Sequence, residues 1–179
     1  TRAAATKKES DMISNKMEKA INEQINKEIY SAYLYLAMAA QCESMGFKGF
    51  ASWFKVQYSE ELAHAMKFFE YVNELGGRVE LAAIKQPPVN FKSPLAMFEQ
   101  AYKHEQYVTQ SIHGLVDLAI KEGDHAANSM LKWFVDEQVE EEAHASEIVS
   151  KMKMIGPSGS GLLYLDGKLG KRKTGGGED

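Results

Sequence analysis

Ser59-Glu60-Glu61-Leu62-Ala63-His64 sets a carboxylate, Glu61, and an imidazole, His64, three residues apart. On a helix, side chains at i and i+3 are neighbours, so both groups face one side and are able to share a cation. The same Glu-x-x-His spacing recurs at Glu141 and His144. Each pair follows, at a similar distance, a lone glutamate set into an apolar stripe: Glu28 before Glu61, and Glu105 before Glu141. The chain therefore spells one half-site twice. A single Glu-x-x-His is weak evidence, because an ordinary surface pair has the same spacing. Repetition on matching faces is what gives the pattern weight.

Around these residues the hydrophobic period is helical. From about Met12 to Glu43 the apolar stripe is Met17, Ile21, Ile25, Ala32, Tyr35 and Ala39, with no internal glycine or proline. Gly46 supplies a left-handed stop, and a second helix is predicted from about Lys48 to Leu75 on Phe54, Tyr58, Ala65, Phe68 and Val72. Ser93-Pro94 reads as an N-cap followed by proline at the first helical position. The third helix carries Phe98, Ala101, Tyr102, Val108, Ile112 and Leu115 and stops at Gly123. Asp124 caps a fourth, on Met130, Phe134, Ala145, Ile148 and Met152, to about Ile155. The segment 76–92 has no helical period and contains Pro87-Pro88; it is far longer than a tight turn and long enough to run the length of a bundle. An all-α four-helix bundle with one long crossover between helices 2 and 3 follows, the arrangement associated with ferritin-like folds.

Past a Gly/Ser/Pro-rich turn, Leu162, Leu163, Tyr164, Leu165 and Leu169 suggest a short fifth helix that needs a packing partner. A single domain over 12–170 is expected, with a flexible N-terminal tail at 1–11 and a mobile C-terminal tail at 171–179.

Composition removes several function classes. With 179 residues and 44% apolar content the chain builds one ordinary core. No apolar run approaches the roughly eighteen residues of a membrane span, so a soluble protein without membrane partners is expected. Cys42 is the sole cysteine, which excludes internal disulfides and cysteine-rich metal sites. A formal charge of −4 offers no basic field for nucleic acid. A cytoplasmic location is expected, although basic Thr1–Lys8 is also compatible with an organelle-targeting remnant.

Height along the helices sharpens the site. Glu28 and Glu61 lie at similar distances either side of Gly46, and Glu105 and Glu141 either side of Gly123, so each antiparallel pair presents its carboxylates level. All four fall on apolar stripes and point inward. Burying four carboxylates without compensation is prohibitive, and no lysine or arginine shares those stripes at that level. Metal is the expected compensation: one Glu from each of two helices with Glu-x-x-His from each of the others is the ligand set of a dinuclear carboxylate centre. Oxygen-rich ligation with some imidazole suits iron or manganese. Tyr35 faces the same interior. Glu60, Glu137 and Glu140 add acidic groups nearby, whereas His104, His113 and His125 read as ordinary polar positions.

At these residues the chain resembles a non-haem ferritin of the prokaryotic type. The most specific stretches are Asn26 to Leu36, Glu60 to Phe68 and Trp133 to Glu142. The resemblance implies ferroxidase activity and iron storage inside a homo-oligomeric shell of 24 subunits, with Fe²⁺ and O₂ or H₂O₂ as reactants. It assigns Glu28, Glu61 and His64 to a first iron, with Glu61 bridging, and Glu105 and Glu141 to a second. Gln138 would sit nearby, and Glu60, Glu137, Glu140 and Glu141 would form a third iron site. It also puts the fifth helix near a fourfold axis. One departure is His144, which resembles the second-metal ligand of bacterioferritins. Leu62 stands where that branch has its haem-ligating methionine, so no haem is expected. The rival reading is a rubrerythrin-like di-iron peroxidase, which shares the ligand pattern without a storage cavity.

Overall fold

In the computed structural model, which describes residues 12–173, the first helix begins where Ser14 Oγ accepts the Met17 N–H at 3.2 Å. That cap sets the start of α1 (Asn15–Ser44) three residues later than Met12, because the hydroxyl satisfies a first-turn amide before the apolar stripe begins. Gly46 takes up φ +83, a conformation that costs glycine little, and the chain reverses into α2 (Lys48–Glu74). Ser93 Oγ caps α3 (Pro94–Glu122) at Ala96 N–H, Gly123 ends it at φ +65, and Asp124 Oδ1 caps α4 (His125–Ile155) at Ala127 N–H. A fifth helix, α5 (Gly159–Leu169), follows Ser158. Among the described residues there is no strand, and no helix is long and apolar enough to cross a membrane.

The four long helices meet in two separate hydrophobic clusters. One joins Leu34–Cys42 on α1, Phe50–Phe54 on α2, Met97–Ala101 on α3 and Ile148–Met152 on α4. The other joins Ile13–Ile25, Phe68–Val72, Val108–Ala119 and Ala127–Phe134. The C-terminal half of α1 thus shares an end of the bundle with the N-terminal halves of α2 and α3 and the C-terminal half of α4. That is the sense produced by two antiparallel pairs joined by a lengthwise crossover. Between the clusters, at mid-height, lie Glu28, Glu61, Glu105 and Glu141.

The crossover 75–93 has no regular structure and follows α1. Glu18, Asn22 and Asn26, one turn apart, take its backbone in sequence. Glu18 Oε2 accepts from Arg78 N–H at 3.0 Å, and Asn22 bonds Arg78 O and Glu80 N–H at 2.9 and 3.0 Å. Asn26 Nδ2 donates to Ala82 O and Ala83 O at 3.3 and 3.2 Å. Backbone that forms no ladder is satisfied by side chains instead.

α5 finds its packing partner within the chain. Leu165 is buried in the first cluster, Leu162 and Leu169 pack against it, and Leu163 and Tyr164 face outward. Phe47, the N-cap of α2, offers no side-chain acceptor, and Asp166 of α5 fills that role by accepting the Phe50 N–H on Oδ1 at 2.7 Å. A carboxylate at a helix N-terminus is also favoured by the helix dipole. Gly49 permits the approach, since a Cβ there would lie 1.8 Å from Asp166 O. The C-terminal stretch read as mobile is engaged at Arg172, which bonds Gln57 and Glu60 on α2. Residues 174–179, and the basic stretch Thr1–Lys8, lie outside the described residues.

Gly77, at the start of the crossover, is tightly enclosed: a Cβ would lie 2.6 Å from Glu18 Oε2 and 2.7 Å from Ile13 Cγ2. Gly77→Ala is expected to destabilise the protein by about 1–3 kcal/mol, the range for overpacking. Gly114→Ala, in an α3 interior with open space around it, is expected to stabilise it by up to about 1 kcal/mol. Denaturant unfolding of the two variants checks the contrast.

Candidate metal centre

Each of the four long helices contributes one carboxylate to the gap between the clusters. Glu28, Glu61, Glu105 and Glu141 are 0, 1, 1 and 4% exposed. Glu28, Glu61 and His64 present ligand atoms that all lie within 4.8 Å of one another. His64 Nδ1 stands 3.7 Å from Glu61 Oε2, and its Nε2 faces Glu137 Oε1 at 4.0 Å. The imidazole plane is set by edge-on contacts with Trp133 and Phe134, centroids 5.4 and 6.0 Å away.

Amides and a phenol supply donors to the carboxylates. Gln24 Nε2 donates to Glu28 Oε1 at 2.7 Å, Gln57 Nε2 to Glu141 Oε2 at 2.9 Å, and Gln138 Nε2 to Glu105 Oε2 at 3.2 Å. The Tyr35 hydroxyl donates to Glu105 Oε1. Ser111 Oγ holds Gln24 Oε1 at 2.6 Å and receives Lys27 Nζ at 2.6 Å. Even so, Glu28 Oε2 and Glu61 Oε2 are buried without a hydrogen-bond partner. A buried carboxylate oxygen in that state costs several kcal/mol unless a proton or a cation meets it.

The titration directions give the same account. Burial raises Glu28, Glu61 and Glu105, the last to about 8, and the carboxylates repel one another: Glu105, Glu28 and Glu141 all push Glu61 upward. Glu28 is eased back chiefly by His64. Tyr35 is raised by burial and by the carboxylates around it, so its hydroxyl keeps its proton and acts as a donor. At neutral pH part of this charge is held off by protons, which a divalent cation with the same four carboxylates around it would displace.

The structure separates the remaining sequence-predicted residues. Gln138 is buried against Glu105, and Glu137 is half-buried beside His64 with its carboxyl raised, first by burial. Glu60 is partly buried and held by Arg172, and Glu140 is exposed. His144 is not brought into the group: it is exposed on α4. The buried arc of α2 spreads to both sides of Glu61 and takes in Gln57, His64 and Tyr71, whereas that of α4 leans towards Gln138, Ala145 and Val149. Glu141 lies on the opposite edge of that arc, so the same i, i+3 step that buries His64 turns His144 out to solvent.

Sequence reasoning passed over four contributors. Gln24 and Gln57 stand one turn before Glu28 and Glu61 on buried stripes, a signal that was available. Arg172 brings positive charge from far along the chain, which no stripe reveals. His104 is not an ordinary polar position: its Nε2 lies 2.7 Å from Ser31 Oγ, its ring contacts Tyr30, Tyr35 and Tyr107, and burial lowers its pKa to about 4.

A Ferritin-like domain profile matches residues 18–155. The chain belongs to the ferritin family. The bacterial non-heme ferritin of Campylobacter jejuni is 44% identical over 155 residues, covering 87% of this chain and 93% of that protein. That of Bacteroides fragilis is 43% identical over 161 residues, covering 90% and 100%. Among solved structures, an open-pore ferritin from the hyperthermophilic archaeon Archaeoglobus fulgidus superposes with a TM-score of 0.89 at 54% identity, covering 90% of this chain and 99% of that one. As a ferritin, the protein binds iron and stores it.

Raised carboxyl pKa values fix the sign of a stability change. A folded-state carboxyl that ionises near 8 keeps its proton while its unfolded counterpart ionises near 4.5, so its stabilising contribution is full below about 4.5 and is lost as pH climbs towards 8. The melting temperature of the metal-free ferritin is expected to fall between about pH 5 and pH 8. The increment given by Zn²⁺, an ion without redox chemistry, should widen over the same interval as it displaces those protons. Calorimetric melting with and without Zn²⁺ measures both, and a metal-free melting temperature that rises across this range is the contrary result.

Proposed function

We propose that this ferritin oxidises ferrous iron at the buried carboxylate group and stores the ferric product. The single observation that carries this reading is the pair of buried oxygens without a hydrogen-bond partner, Glu28 Oε2 and Glu61 Oε2, on two glutamates that each offer a ligand atom within 4.8 Å of a His64 ring nitrogen. In that environment a cation is worth far more than in water, because few solvent dipoles compete for the carboxylates.

Iron is the substrate here. One Fe²⁺ is assigned to Glu28, Glu61 and His64, and a second to Glu105 and Glu141, with Glu61 bridging. Each ion gives up one electron, so a pair reduces O₂ to H₂O₂, or H₂O₂ to water, with protons taken up to balance. Fe³⁺ is the harder, more highly charged ion, and carboxylates favour it over Fe²⁺. Gln138 and Tyr35 hold Glu105 through donated hydrogen bonds, which leaves its ionised form better placed to meet the ion. Glu60, Glu137, Glu140 and Glu141 are assigned to a third iron position. The product accumulates as ferric oxide inside a shell of 24 such chains in the cytoplasm, a reading supported by the ferritin relatives.

Aerobic addition of Fe²⁺ in large excess over chains tests storage: uptake should continue far beyond the few ions of the assigned sites, in a particle of shell size by light scattering. Uptake that ends at two or three ions per chain overturns it. Glu61→Gln is expected to slow the fast phase of ferrous oxidation by on the order of 100-fold while the particle still assembles, as read by stopped-flow absorbance.

A further inference from the structure

Arg172 lies past the end of α5, yet its guanidinium reaches back to α2. Trp53, Gln57 and Glu60 stand at i, i+4 and i+7 there, so they form one face. The guanidinium carbon sits 5.0 Å from the Trp53 ring centroid, Nη1 donates to Gln57 Oε1, and Nη2 donates to Glu60 Oε2 at 2.8 Å. Stacking and two directed bonds make a cradle for a planar cation.

Gln57 is 1% exposed and belongs to two contacts at once: Oε1 receives Arg172, and Nε2 donates to Glu141 Oε2 at 2.9 Å. An amide has one acceptor end and one donor end, a guanidinium only donates, and a carboxylate only accepts. With Arg172 in place, a single orientation of Gln57 satisfies both neighbours. The flipped amide would set donor against donor and acceptor against acceptor.

We propose that Arg172 is a positioning residue for the metal centre: it fixes the amide of Gln57, which in turn holds the Glu141 carboxylate in place for the second ferrous ion. This rests on the assignment of Glu105 and Glu141 to a second Fe²⁺. Arg172 follows directly on α5, which is docked through Leu165 and the Asp166 cap of α2. The C-terminal segment therefore supplies one support of the buried site.

Anaerobic calorimetric titration of the assembled protein with Fe²⁺ tests the link in Arg172→Ala, Gln57→Leu, the double variant and Arg172→Lys. Arg172→Ala is expected to weaken the second equivalent by about ten-fold, the scale of one hydrogen bond to a charged group, and to leave the first within about two-fold. Gln57→Leu should do the same, the double variant should be no weaker than Gln57→Leu alone, and Arg172→Lys should recover part of the loss. An unchanged second equivalent in Arg172→Ala overturns the proposal. So do additive losses in the double variant or equal weakening of both equivalents, which are the marks of a packing role. A wild-type protein that takes only one Fe²⁺ overturns the two-iron reading and the link with it, and that count distinguishes the two failures.

Discussion

Four carboxylates sit at mid-height in a bundle between two largely apolar clusters, and their mutual repulsion and desolvation constrain everything around them. Each would cost several kcal/mol as an unpaired buried charge, comparable with the whole stability of a domain. The chain meets that cost partly with donors: Gln24, Gln57, Gln138 and the Tyr35 hydroxyl each give a hydrogen bond to a carboxylate oxygen. It does not meet all of it. The two bare oxygens of Glu28 and Glu61 are left for a proton or a metal ion, and that remainder is what makes the layer a site and not merely a polar core.

The rest of the fold can be understood as support for such a layer. Two hydrophobic clusters, one on either side, carry the packing, with Phe68 stacked on Phe134 at 4.0 Å and Phe54 on Phe98 at 4.7 Å. Because each helix crosses both clusters, its glutamate is pinned from above and below, and the carboxylates cannot move apart without disturbing aromatic contacts. The crossover, held residue by residue on α1, keeps the two antiparallel pairs in the sense that brings the four groups level. Protein interiors resist deformation of this kind, which preorganises a charged site for an incoming ion.

Most of this was legible in the sequence because it is periodic. Glycine and capping residues at Gly46, Ser93, Gly123 and Asp124 marked the helix ends, and the position of each glutamate within its stripe gave both face and height. What stayed hidden depends on relations that a period does not encode. His144 repeats the spacing of His64 but not its burial, since the orientation of each helix about its own axis is set by packing. The partner of α5 was invisible for the same reason: Leu165 joins the cluster that holds Phe50 and Trp53, and Asp166 caps a helix 116 residues earlier. Arg172 has the composition of a tail, because glycine and charge dominate its surroundings, yet one directed side chain is enough to fix it.

Iron K-edge anomalous diffraction from crystals soaked with Fe²⁺ under anaerobic conditions tests most directly whether metal completes the buried carboxylate layer. Ordered anomalous density bounded by Glu28, Glu61 and His64, extending towards Glu105 and Glu141, is the expected result. Density confined to the exposed acidic surface, with none between Glu61 and its buried neighbours, would contradict it.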